Sequence, residues 1–204
     1  MSILTDRPLW TLSNLNDLLT RFTGNPISGS RDFLDKLSEQ LKDAPAEIPQ
    51  LAAEVLWFLN LFPHPGTMKA ETKREQIKTV WQWSGEDVPA SPFLNDDTLG
   101  GVGNPGTAYA THRPMEFEYL IRTVAAFKAL APAEQTRPMN EDVPWTFMTW
   151  LDEQPGSERR LVRNTLLYFL FPDHIERNTS RAHKQQIYEA LKNKLPVAKR
   201  VDCR

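Results

Sequence analysis

Hydrophobic residues recur along most of the chain at steps of three and four positions, the spacing that puts them on one face of an α-helix. This pattern predicts helices at about residues 12–22, 33–41, 48–62, 69–84, 115–130, 145–151, 161–170 and 180–191. Alternation of apolar and polar residues, which indicates a half-buried strand, is sparse. The sequence therefore predicts an all-α fold, organised as a single helical domain over residues 1–204.

Two of the predicted helices are apolar on nearly all sides, which is typical of helices buried in a core. They end at Phe62-Pro63 and at Phe171-Pro172, because proline cannot continue a helix. Ser30 and Ser157 are placed to cap the helices that follow them. The side chains that we expect to find inside are Leu56, Phe58, Leu59, Leu167, Tyr168 and Leu170.

The two Phe-Pro sites also belong to a repeated pattern. The second site lies 109 residues after the first. Each site is followed by a similar helix start, and Ile187 in the second lies 110 residues after Ile77 in the first. The near-constant offset predicts two similar helical halves, residues 10–84 and 115–195, joined by an irregular segment. The alternative is that buried helices ending in proline resemble one another without a duplication.

Residues 85–114 interrupt the helical pattern with four prolines and five glycines, which disfavour a helix. A long irregular connection within a domain is often functional. Glycine lets the backbone approach another group closely, so we expect a loop that contacts a ligand, nucleic acid or a partner subunit. Its candidate residues are Gly101, Gly103, Asn104 and Gly106. Asn104-Pro105-Gly106 is interpreted first as a turn, and the ligand-contacting loop is the functional interpretation of the same residues.

Motifs that would indicate an enzyme are missing from the sequence. The glycine-rich loop lacks the Lys-Ser/Thr pair of a P-loop, and no predicted strand precedes it, as a Rossmann fingerprint requires. None of the four histidines forms the i, i+4 pair of a zinc metalloprotease, and Cys203 is the one cysteine. Asn95-Asp96-Asp97 is interpreted as a turn or helix cap rather than a metal site. We therefore predict no catalytic residues, no cofactor and no bound metal.

The composition is that of an ordinary globular protein, with 40% hydrophobic and 25% charged residues. No stretch reaches the roughly 20 apolar residues of a membrane span, and no secretory signal is visible, so we expect a cytoplasmic protein without a membrane partner. The net charge of −2 conceals an asymmetry, because residues 155–204 carry eleven Lys and Arg against five Asp and Glu. This basic segment indicates either a surface for a polyanion or solvated helix faces.

Trp81 and Trp83 flank one residue of the fourth predicted helix, so they cannot both lie on one helix face. An exposed ring would offer a platform on which a nucleic-acid base stacks. The favoured interpretation is that one ring packs in the core and the other covers a loop.

The most specific indication of function is a run of short sequence phrases around the second Phe-Pro site. The phrases Leu170-Phe171-Pro172-Asp173, Ile175-Glu176-Arg177 and Ser180-Arg181-Ala182-His183-Lys184 resemble part of the N-terminal regions of McrB-like AAA+ ATPases. Gly101-Val102-Gly103-Asn104-Pro105-Gly106-Thr107 and Met115-Glu116 are similar too, so the resemblance covers about residues 50–195. Those ATPases occur in modification-dependent restriction and phage-defence systems of bacteria.

The resemblance implies a target-recognition module that binds DNA, modified DNA included, while an AAA+ motor domain and a partner nuclease act on the target. These 204 residues contain no Walker A motif, so they do not include the motor. The residues expected to contact DNA phosphates are Arg159, Arg160, Arg163, Arg181 and Lys184, which helical spacing places partly on shared faces. The alternative is a protein-interaction or sensor domain that binds a phage protein or a partner subunit.

Overall fold

The computed structural model describes residues 1–106, 109, 111–140, 144–178 and 180–194, without the side chains of residues 137–140 and 181. This part of the chain forms ten α-helices and no strand, which confirms the all-α prediction. The helices are α1 (Leu12–Gly24), α2 (Phe33–Leu41), α3 (Glu47–Asn60), α4 (Ala70–Gln82), α5 (Asp96–Leu99), α6 (Arg113–Ala129), α7 (Pro132–Asn140), α8 (Trp145–Asp152), α9 (Leu161–Leu170) and α10 (Arg181–Leu191). Pro92–Leu94 and Ser157–Arg159 form short 3-10 helices.

Several helices begin where a polar side chain accepts a backbone N–H group that has no partner within the first turn. Thr11 accepts the N–H of the third residue of α1 at 3.1 Å. Asp32 caps α2 in place of the predicted Ser30, because Asp32 directly precedes the first helical residue. Ser180 caps α10 by accepting the N–H of His183 at 3.3 Å.

Helix α3 forms the centre of the fold, as its apolar sequence predicts. Eleven of its fourteen residues are buried, and it packs against α1, α4 and α6. Leu56 and Leu59 are fully buried, so the prediction for these two side chains is confirmed. Phe58 is half-buried and makes an edge-on contact with Phe169 of α9, with ring centroids 5.8 Å apart.

The second apolar helix, α9, is less deeply buried than its sequence predicts. Leu167 is buried, but Tyr168 is only half-buried. The prediction that Leu170 lies inside is wrong, because this side chain is 37% exposed. At the end of α9 it is Phe171 that packs toward the core, with its ring centroid 5.8 Å from that of Phe147.

The two halves predicted from the repeat differ in their helices. Helices α3 and α4, on either side of the first Phe-Pro site, pack along one another, whereas α9 and α10 form no contact of comparable extent. The described residues of 10–84 form four α-helices and those of 115–195 form five, with different lengths. The helix order therefore gives the duplication no support. Helix α1 packs against both α3 and α6 and so joins the two predicted halves.

A buried carboxylate fastens the segment before α1 to the central helix. Glu54 of α3 accepts the N–H groups of Ile3 at 2.9 Å and Leu4 at 3.0 Å. The Ser2 hydroxyl and the Trp10 indole N–H donate to the same carboxylate. Because Glu54 is fully buried, these four donors replace the water that its charge would otherwise require.

Candidate functional site

The glycine-rich segment, residues 100–106, is held against the end of α3 by backbone hydrogen bonds. The Phe62 carbonyl accepts the N–H groups of Val102 at 3.0 Å and Gly103 at 2.9 Å, and the Gly103 carbonyl accepts the N–H of His64 at 2.8 Å. Pro63 and Gly103 form an isolated parallel bridge. The segment that we predicted to contact a ligand is therefore folded onto the first Phe-Pro site.

Gly101 and Gly103 are explained by this packing. Gly101 has a φ of +75°, and a Cβ atom at this position would lie 1.9 Å from the Pro63 carbonyl oxygen. A Cβ atom at Gly103 would lie 2.6 Å from the Phe62 ring. The close approach that these glycines permit is thus made to the chain's own atoms, and it requires no ligand.

Asn104 and Gly106 form an Asx turn, in agreement with the first interpretation of these residues. Asn104 Oδ1 accepts the N–H of Gly106 at 2.9 Å, and Gly106 has a φ of +75°. Asn95 likewise acts as a cap, because its Oδ1 accepts the N–H of Thr98 at 2.8 Å at the start of α5. The described residues contain no group of three His, Cys, Asp or Glu side chains that could hold a metal ion.

Lys73 is a charged residue within the core, and the sequence pattern did not reveal it. This α4 side chain is fully buried, and its ammonium donates to the Leu99 carbonyl at 2.7 Å and to the Pro63 carbonyl. Lys73 therefore links α4 to the first Phe-Pro site and to the end of α5, directly before the glycine-rich segment. Burial lowers the pKa of Lys73 to about 8, because the charged form loses its hydration.

We expect the stability that Lys73 contributes to increase with pH. Its pKa falls from 10.5 in the unfolded chain to about 8 in the folded chain, so between these values the unfolded chain binds more protons. The contribution is fully present above the unfolded pKa and is lost as the pH falls through the folded pKa. Urea titrations between about pH 7.5 and 9.5 should therefore show a rising difference in unfolding free energy between wild type and Lys73→Met. A constant difference would contradict this expectation.

A second polar cluster, half-buried except for Asn60, lies where α6 begins. The Arg113 guanidinium donates to Asn60 Oδ1 and to Gln76 Oε1, each at 2.8 Å, and lies 6.0 Å from the centroid of the Phe33 ring. Burial lowers the pKa of Arg113 because it removes water from the charge. These contacts connect α6 to α3 and α4, so this cluster serves the packing of the helices.

Two of the arginines predicted to bind DNA are engaged within the chain. The Arg160 guanidinium lies 3.8 Å from the Glu116 carboxylate, and its side chain is 15% exposed. Arg163 donates from Nε to Asp152 Oδ1 at 2.7 Å, and its side chain is 13% exposed. Their charges are thus balanced by acidic neighbours and both side chains are largely covered, so their contact with DNA phosphates stays a prediction.

Of the other members of the predicted basic face, Lys184 lies beside Arg163, because both side chains donate to Asn164 Oδ1. The Arg159 side chain is 78% exposed and lies 3.3 Å from the Glu158 carboxylate. Lys184 donates to Asn164 Oδ1 at 2.6 Å, and the side chain of Arg181 lies outside the described residues. The spacing argument placed Arg159, Arg160 and Arg163 on one helix capped by Ser157, whereas a 3-10 helix ends at Arg159 and α9 begins two residues later.

Glu116 supplies the cap that α9 lacks in its own sequence. This buried α6 carboxylate accepts the N–H groups of Leu161 at 3.2 Å and Val162 at 2.9 Å. The predicted cap, Ser157, instead begins the 3-10 helix. Burial raises the pKa of Glu116, although the two backbone hydrogen bonds and nearby Arg160 oppose this shift. Sequence reasoning missed Glu116 because helix caps are sought among neighbouring residues.

The two tryptophans have different environments. Trp81 is fully buried, so the hypothesis that its ring stacks on a nucleic-acid base is wrong. Trp83 is half-buried and packs against the hydrophobic core. Burial of Trp81 confirms the part of the favoured interpretation that places one ring in the core.

Open surface features remain as candidate binding sites. Helix α10 exposes Ile187 and Leu191. A groove of about 740 Å³, here called the α4 groove, is lined by Arg74, Lys78, Val88, Pro89, Ala90, Ser91, Leu94, Asn95 and Asp96. A smaller groove of about 310 Å³ lies between Tyr168 and the polar turn at 172–177. Among the helices that the structure describes, none combines the length and apolar composition needed to cross a membrane.

Comparisons with known proteins identify no relative. No protein-family model matches the chain. No curated protein and no solved structure matches it either. The resemblance to McrB-like ATPases, and the function that it implies, therefore stay predictions.

Proposed function

We propose that this chain is a protein-interaction module and that its partner docks on α10. The observation that supports this function is the apolar pair Ile187 and Leu191, which are 51% and 43% exposed. They lie four residues apart and so share one face of the helix. No described side chain of α10 joins the hydrophobic core, so the described part of the fold does not use this face for its own packing. Exposed apolar faces of this kind commonly mark docking surfaces.

The polar residues of this region favour an acidic partner. Lysines flank the apolar pair at positions 184, 192 and 194, and one acid, Glu189, lies between them and pairs with Lys192. Lys184 also attaches α10 to α9 through Asn164. A partner with an apolar groove bordered by Asp and Glu would complement this helix in both shape and charge.

DNA recognition, as part of a McrB-like defence ATPase, is the second candidate function. The net charge of +6 over residues 155–204 favours it, and Arg159 offers an exposed cation. The pairing of Arg160 and Arg163 with acids reduces the charge available for phosphates. Under either candidate we propose a cytoplasmic chain without enzymatic activity. An AAA+ motor domain or a nuclease subunit is the kind of partner that α10 would bind.

Photo-crosslinking at α10 tests both candidates in one experiment. Benzoylphenylalanine replaces Ile187, and a matched control carries it at Thr23, an exposed position on α1, which has no extensive contact with α10. After irradiation of cells that naturally produce the chain, we expect an adduct at position 187 that protease removes and nuclease leaves intact.

The outcomes separate the two functions. An adduct that nuclease removes would support DNA recognition in place of protein binding. Equal adducts at positions 187 and 23, or none at 187, would contradict the proposal that α10 is the docking surface.

A further inference from the structure

The segment between α4 and the first 3-10 helix is exposed along its backbone. The N–H groups of Asp87, Val88 and Ala90 donate no hydrogen bond within the described part of the chain, and the carbonyls of residues 86–90 accept none there. Asp87 and Ala90 are exposed, and Val88 is half-buried. This segment therefore presents unused donors and acceptors to the solvent.

Two prolines keep this segment extended. A residue before proline is restricted to extended conformations, and here Val88 precedes Pro89 and Ser91 precedes Pro92. Ser91 has φ −147° and ψ 138°, as this restriction requires. Ser91 is thus extended and the prolines favour an extended backbone at Val88 as well, while the described part of the chain places no strand beside this segment.

Pro89, in the middle of the segment, lies on the edge opposite to the one that Val88 and Ala90 share. In an extended backbone, residues i and i+2 direct their N–H and C=O groups to the same side. Val88 and Ala90 therefore offer two donors and two acceptors along one edge, while Pro89, which has no N–H, falls on the other. This arrangement is suited to pairing with one added strand.

The extended segment forms one wall of the α4 groove, and its surroundings are fixed. Arg74 of α4 donates from Nε to the Leu94 carbonyl at 2.7 Å and also pairs with Asp96. The Trp57 indole N–H donates to the Phe93 carbonyl at 2.7 Å, and the two rings meet edge-on at 6.1 Å. The groove is therefore formed before any ligand arrives, which reduces the entropy lost on binding.

Lys78 gives the groove a preference for an acidic ligand. It lies on the α4 wall and pairs with Glu75 at 3.3 Å, and both side chains are more than a third exposed. An exposed pair of this kind is weak, so a carboxylate brought by a ligand can take the place of Glu75. Val88 and Leu94 supply apolar surface beside this cation.

We propose that the α4 groove binds an extended peptide segment of a partner protein. The peptide pairs with Val88 and Ala90 through backbone hydrogen bonds and places one acidic side chain beside Lys78. This site is separate from α10, so it adds a second docking surface and stands independently of the function proposed above.

Peptides selected from a phage-displayed library of random linear heptamers are the probe. The whole chain is used for selection, and affinities are measured by fluorescence polarisation. We expect the selected peptides to share one Asp or Glu position and to shift the amide signals of Val88 and Ala90 in NMR spectra. Shifts confined to α10, or a selection without any common acidic position, would overturn the proposal.

Two substitutions test the two contacts separately. Ala90→Pro removes one backbone donor and keeps the extended conformation, so it should weaken binding at least about tenfold. The matched control Ala90→Ser keeps the N–H and should bind as wild type does. Lys78→Glu should reverse the preference for the acidic position. Equal affinity of wild type and a folded Ala90→Pro chain, with folding checked by circular dichroism, would overturn the proposal.

Discussion

Gly101→Ala should lower the free energy of unfolding by about 2–5 kcal/mol. Part of this loss is the cost of about 1–2 kcal/mol for a left-handed backbone at a residue with a Cβ atom. The rest arises because that atom would lie 1.9 Å from the Pro63 carbonyl oxygen, so the backbone of one segment must move. Urea denaturation followed by tryptophan fluorescence measures the change.

Gly106→Ala is the matched control for this substitution. Gly106 has the same φ of +75°, but a Cβ atom there would have no neighbour within 4 Å. Its replacement should therefore cost only the backbone term of about 1–2 kcal/mol. If the two variants lost equal stability, the contact between the glycine-rich segment and the Phe-Pro site would not be as tight as described.

Glu54→Ala should destabilise the fold by about 3 kcal/mol or more. The substitution leaves four donors around the fully buried site without their acceptor, and each buried donor without a partner costs about 1–3 kcal/mol. The amides of Ile3 and Leu4 should also lose their protection against hydrogen exchange. Thermal and urea unfolding, together with exchange rates at these amides, measure both effects.

Two further variants serve as comparisons for Glu54→Ala. Glu54→Gln keeps one acceptor oxygen but brings an NH₂ group toward the same donors, so we expect an intermediate loss. Glu39→Ala removes an exposed carboxylate from α2 and should change stability by less than about 0.5 kcal/mol. Unchanged protection of Ile3 and Leu4 in the Glu54→Ala chain would show that this carboxylate does not hold the segment before α1.

The helices could be predicted because each buries one face, which leaves a repeating mark in the sequence. That same pattern led to the correct position of α3 and of its neighbour α4. It did not find Glu54, Lys73 or Glu116, because a charged residue within a helix is normally interpreted as solvent-exposed. Each of these three side chains is buried and bonds to backbone groups that are distant in sequence, a relation that periodicity does not contain.

The candidate surfaces, like the helices, could be predicted from the sequence only in part. The sequence indicated the basic character of the C-terminal part, but counting charges could not show that Arg160 and Arg163 face acids from other helices. The backbone groups of residues 87–90 that have no partner within the described part of the chain were covered only by the general prediction that residues 85–114 are irregular. Whether the backbone N–H and C=O groups of an extended segment form hydrogen bonds depends on the surrounding chain. This is visible only in the folded structure.

The cap that Glu116 provides for α9 has a consequence for how the chain folds. The carboxylate and the amides that it accepts are 45 and 46 residues apart, so the first turn of α9 gains its acceptor only after a long loop has closed. Glu54 imposes the same requirement on the segment before α1, over 44 to 52 residues. Neither the first turn of α9 nor the segment before α1 can find these partners locally, so both should form late and unfold together with the whole domain rather than fraying independently.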